Sequence, residues 1–111
     1  MFFKKNYARM VKSNKWDKLN EQMEKGDAKI NAEIAAACGE SNTDESRNML
    51  VRMINEPDRN VRLAAIKAMA AVGNSASLSH IRRAQKNCSA DDAEMIEALA
   101  DAARAITGKK D

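Results

Sequence analysis

The sequence predicts an all-α protein: about three helical hairpins stacked side by side, preceded by an N-terminal helix. Three observations carry this reading. The 111 residues are rich in Ala, Leu, Met, Glu, Lys and Arg, with four Gly and one Pro, a composition of good helix formers with few breakers. No run of alternating β-branched residues occurs, and neither Asn-Gly nor Asp-Gly is present to turn a hairpin of strands. The segment PDRNVRLAAIKAMAAVGN, residues 57–74, reads as a helix that is apolar on almost every side and so must lie between other elements.

Self-similarity extends this reading. Counting from Asp58, apolar residues stand at +3, +7, +10, +11 and +14: Val61, Ala65, Ala68, Met69 and Val72. The same offsets from Asp92 give Met95, Leu99, Ala102, Ala103 and Ile106, and from Asp27 they give Ile30, Ile34, Ala37 and Cys38 before Gly39 ends the pattern. Three helices therefore share one template, spaced 31 and then 34 residues apart. A period of this length marks a solenoid, because one hairpin cannot bury its apolar face alone whereas stacked neighbours can.

Each template helix follows a shorter amphipathic stretch. Trp16, Leu19 and Met23 share a face in the first, Met49, Leu50, Met53 and Ile54 in the second, and Leu78, Ile81 and Ala84 in the third. The hairpins are expected over 14–39, 43–73 and 75–107, within one domain of residues 1–111. Pro57 suits a first helical position, Ser75 an N-cap, and Ser89 with Asp92 a capping box, while Gly39 and Gly73 suit helix C-termini. On the last helix Glu94, Glu97, Asp101 and Arg104 recur as a polar stripe, expected to close that end of the stack. Residues 1–13 are expected to form a capping helix over Phe2 to Lys12, with Phe2, Phe3 and Tyr7 covering the other end.

The run D-x-x-V-R-x-x-A-x-x-A-M-x-x-V-G from Asp58 to Gly73 resembles the second helix of a HEAT repeat, in particular the short HEAT-like repeats of the phycobilisome-lyase type. The resemblance is strongest over residues 43–88 and weaker over 14–39 and 89–107, and residues 1–13 lie outside it. It implies a right-handed α-solenoid, an α-α superhelix, whose second helices line a concave surface that binds other macromolecules. Only the middle repeat keeps both Asp58 and Arg62; Asn31 and Ile96 stand where the Arg would recur, so no continuous ladder of Asp and Arg is expected.

The chemistry-bearing residues point away from catalysis. His80 is the single histidine and has no nucleophile or acid placed beside it by spacing. Neither a metal-ligand spacing nor a Gly-rich phosphate loop occurs. The chain is therefore expected to be no enzyme and to hold neither a metal nor a cofactor. The family's name raises bilin attachment as a further reading, but the four aromatic residues offer little to stack on such a group. Cys38 falls on an apolar helix face and Cys88 in a loop, a pair that fits free thiols in a reducing, cytoplasmic compartment. No apolar span approaches the about 18 residues of a membrane helix.

Net charge is +3, unevenly spread: residues 1–25 carry +4 and residues 26–111 carry −1. The expected binding surface is the inner groove, read off as Lys29, Glu33, Arg59, Arg62, Leu63, Lys67, Glu97, Asp101 and Arg104. Basic in the middle and acidic toward the end, it suits a protein partner of complementary pattern more than a uniform polyanion. The alternative is a nucleic-acid contact through Lys4, Lys5, Arg9 and Lys12, which also read as the solvated side of an amphipathic capping helix or as a membrane-surface contact. Self-association through a solenoid end is a further expectation.

Overall fold

The computed structural model describes residues 6–109. Seven α-helices occur among them: α1 (Tyr7–Lys12), α2 (Trp16–Glu24), α3 (Ala28–Cys38), α4 (Asp44–Ile54), α5 (Arg59–Val72), α6 (Leu78–Asn87) and α7 (Ala93–Thr107), with one 3-10 turn, Ser75–Ser77, leading into α6. The hairpins are α2–α3, α4–α5 and α6–α7. Helices α3, α5 and α7 pack side by side as one layer, and α2, α4 and α6 each pack on their own partner as the other. The molecule measures 42 × 33 × 20 Å. Its short axis is that of two helix layers, each about 10 Å across.

Every apolar template position of the second and third inner helices is buried, from Val61 to Val72 and from Met95 to Ile106. In the first, Ile34, Ala37 and Cys38 are buried and Ile30 is half-buried. Helix α5 lies against α3, α4 and α7, and it accordingly buries Val61, Leu63, Ala65, Ile66, Ala68, Met69 and Val72 around most of its circumference. Its sandwiched position explains the apolar segment 57–74. Close approach between inner helices also explains Gly39: a Cβ there would stand 2.9 Å from the Ala68 Cβ.

The template origins turn out to be caps. Asp27, Asp58 and Asp92 each accept the backbone amide three residues on, that of Ile30 at 3.2 Å, Val61 at 3.1 Å and Met95 at 3.1 Å. Each satisfies a donor that the helix start would otherwise leave without a partner. Three expected starts move as a result. Pro57 precedes the cap instead of opening α5, and Asp92 itself caps α7 in place of Ser89, whose hydroxyl accepts the Asp91 amide. Asn74 replaces Ser75 as N-cap, closing a capping box with Ser77. Gly39 and Gly73 stand at helix C-termini as expected.

At the N-terminal end, α1 packs on α3 and α2, burying Tyr7 and Val11. Helix α1 begins at Tyr7, where Asn6 is extended and caps it by accepting the Arg9 amide at 3.0 Å; the part of the expected helix over residues 2–5 lies outside the described residues. Phe2 and Phe3 lie outside the described residues.

Candidate functional site

Surface chemistry follows from which template positions stay exposed. At +2 the three inner helices carry Lys29, Asn60 and Glu94, and at +9, two turns on, they carry Ala36, Lys67 and Asp101; all six are exposed. Two parallel rows therefore cross α3, α5 and α7 on one face. Of the residues read into the groove, Lys29, Lys67, Glu97, Asp101 and Arg104 are exposed, and Asn60, Ala36 and Glu94 stand in the two rows without having been among them. The signal that would have found them is the same offset count that located the core.

Leu63 does not belong to the surface: only 8 % of it is exposed, because α5 is flanked on three sides. Glu33 is half-buried in a depression between α1 and α3 lined also by Tyr7, Ala8 and Glu40. There burial raises the Tyr7 hydroxyl pKa, and the negative charges of Glu33 and Asp27 add to the rise.

Arg59 and Arg62 are committed to structure instead of to the face. Arg59 donates from Nε and Nη2 to the two carboxylate oxygens of Asp92, both at 2.8 Å, and from Nη2 to Glu94 at 2.9 Å. This bidentate pair ties the start of α5 to the cap of α7. It holds the Asp92 carboxyl down to about 2, with the Met95 amide assisting, and raises the pKa of Arg59 further still. Arg62 reaches back to the carbonyls of Glu56 at 3.0 Å and Pro57 at 2.6 Å, in the loop of its own hairpin. Asn31, at the same template position, reaches with a shorter side chain to the last turn of α2, donating to the Met23 carbonyl at 3.3 Å. In place of a continuous Asp and Arg ladder stand one cross-link between neighbouring repeats, Arg59 to Asp92, and the ties of Arg62 and Asn31 within their own repeats.

Ile96, the third member of that set, is 44 % exposed. Its equivalents Asn31 and Arg62 lie on the side where the next repeat stacks, and Ile66, one turn after Arg62, is buried there whereas its equivalent Ala100 is only half-buried. The polar stripe Glu94, Glu97, Asp101 and Arg104 therefore does not close the end of the stack, as the sequence reading had it. It continues the face shared by all three inner helices, and Arg104 is paired with Asp101 on it.

Of the basic N-terminal residues, Arg9 and Lys12 are exposed on α1, and Lys4 and Lys5 lie outside the described residues. Arg9 borders a depression of about 550 Å³ between α1 and α2, together with Lys15, Lys18 and Lys25. His80 is half-buried on α6 beside a small surface depression lined by Asp44, Arg47 and Ser77. Cys38 is fully buried and its thiol is pushed up to about 12 by burial, against a hydrogen bond with Ser46; Cys88 is half-buried in the α6–α7 loop. Among the described residues no three His, Cys, Asp or Glu side chains converge to hold a metal ion, and no helix is long and apolar enough to cross a membrane.

Two layers of helices, repeated caps at one offset and an exposed face repeated across the inner helices define an α-solenoid. The family model of HEAT repeats matches residues 17–104 of the 111, and the chain belongs to the HEAT-repeat family. No curated protein and no solved structure matches the chain. HEAT repeats are commonly protein-interaction scaffolds, and the family is typically non-enzymatic.

Proposed function

We propose that this protein is a non-catalytic interaction module that docks a protein partner on the concave face of its solenoid, formed by α3, α5 and α7. The observation that carries the proposal is the pair of exposed rows at +2 and +9, Lys29–Asn60–Glu94 and Ala36–Lys67–Asp101. Each row runs from basic or neutral on the first two helices to acidic on α7. A mixed, graded pattern on a rigid frame selects a protein segment of opposite gradient, and repels a uniform polyanion at its acidic end. The two free thiols fit a reducing compartment such as the cytoplasm. Ile96, exposed where the stack ends, gives the same module a patch for end-on association with a second copy.

Affinity capture from a lysate of the host organism, after nuclease treatment, tests the proposal. The wild-type protein is expected to retain a discrete protein that the double variant Lys67→Glu, Asp101→Lys loses. Equal capture by both forms would remove the inner face from consideration. A second reading, nucleic-acid contact through Lys4, Lys5, Arg9 and Lys12, is favoured by one observation: Arg9 and Lys12 are exposed one turn apart without an ion pair among the described residues. It requires steep salt dependence and loss of the captured material on nuclease treatment.

A further inference from the structure

The charges of the two surfaces differ in how far they are already neutralised. On the inner helices Arg59 is bound to Asp92 and Glu94, and Arg104 to Asp101. Around the depression between α1 and α2, by contrast, Arg9, Lys15, Lys18 and Lys25 are all exposed and make no ion pair among the described residues. Four cations and a single carboxylate, Glu21, thus surround one concavity of about 550 Å³. Among the described residues, positive charge is gathered here with only Glu21 beside it in the concavity.

The floor of this depression is mainly carbon, supplied by half-buried Met10 and by the lining side chains around it. We infer that the α1–α2 cleft is a docking site for an acidic peptide segment of a partner protein, one apolar side chain entering over Met10 and flanking Asp or Glu residues facing Arg9, Lys15, Lys18 and Lys25. A phosphate backbone fits less well. It carries charge at every unit, its bases meet no aromatic ring among the lining side chains to stack on, and Glu21 would repel it from within the site. A peptide places its neutral residue there and keeps its carboxylates at the rim. The site is separate from the inner face and stands whether or not that face binds.

Fluorescence anisotropy on the full chain tests this with a labelled short peptide of Glu and Asp around one central Leu. The peptide is expected to bind, with an affinity that falls as salt rises. Its Kd should rise about tenfold in the triple variant Lys15→Gln, Lys18→Gln, Lys25→Gln, a change of about 1.4 kcal/mol, and stay put in the inner-face variant Lys29→Gln, Lys67→Gln. A peptide with Ala in place of Leu should bind more weakly. All the substituted positions are exposed, and circular dichroism of each variant verifies that the helices are retained. Absence of binding, indifference to the triple variant, equal binding of the Ala peptide, or displacement by a single-stranded DNA oligonucleotide at lower concentration than by unlabelled peptide would each overturn the assignment. Loss of binding in the Lys29, Lys67 variant alone would overturn it too, and would direct the peptide to the inner face.

Discussion

Asp92 accepts the Met95 amide and both guanidinium bonds of Arg59, so its ionised form is stabilised only in the folded chain. Its carboxyl titrates near 2 in the fold against 3.8 in the free residue. A depressed folded pKa gives stability that is fully present above the unfolded value and is lost as pH falls through the folded one. Wild-type protein is therefore expected to exceed Asp92→Asn in Tm at neutral pH, with the gap closing as pH drops from about 4 to about 2. A gap independent of pH across that window would show that the pair adds nothing specific to the ionised form. Cys38 and Cys88 provide a second test at this scale. With its thiol buried and raised to about 12, Cys38 should resist iodoacetamide in the native state while Cys88 reacts, as mass spectrometry of a timed labelling would read. The sequence placed Cys38 on a packed face and located Asp92 at a helix start, because both follow from local period. It did not show the bond from Arg59 to Asp92, since 33 residues separate the two and no local rule pairs them.

At the scale of the element, α5 is the member with neighbours on three sides, and its tolerance of extra volume should be the lowest in the chain. Ala68 is 7 % exposed and its Cβ faces Gly39 at the end of α3. Ala68→Leu is expected to lower stability by about 1 to 3 kcal/mol through overpacking, measured by chemical denaturation. No loss would place Ala68 outside the α3–α5 contact. The repeated caps predict a smaller and uniform effect: Asp27→Ala and Asp58→Ala should each cost about 1 kcal/mol, and both should leave the far-UV helix signal nearly unchanged. Helix identity was legible throughout, because the 3.6-residue period of the core is strong. Helix starts were less so. Pro57, Ser75 and Ser89 are each good starters by type, and the structure selects the neighbouring Asp58, Asn74 and Asp92, whose side chains meet the free amides. Helix α1 likewise opens at a side chain that meets a free amide, Asn6 acting as its cap.

For the whole molecule, the stack sets what is surface. Position +5 is half-buried at Ala32, buried at Leu63 and exposed at Glu97, because only α5 is flanked by an inner helix on both sides. Leu63 was misplaced for that reason: the template gives an angle around one helix, and burial depends on which neighbours exist. Arg59 and Arg62 were misplaced because long side chains at the inter-repeat edge find partners that a periodic count does not include. Of the two exposed rows at +2 and +9, the sequence reading named Lys29, Lys67 and Asp101 and left out Ala36, Asn60 and Glu94, because it took non-core positions one by one and not by their offset. Hydrogen exchange of the protein alone and with the protein partner captured through it tests this account most directly. Alone, α5 is expected to exchange slowest, as the one inner helix packed between two others. With partner bound, added protection is expected along the exposed side of α3, α5 and α7. Protection confined to the outer helices α4 and α6, with the inner helices unchanged, would contradict it.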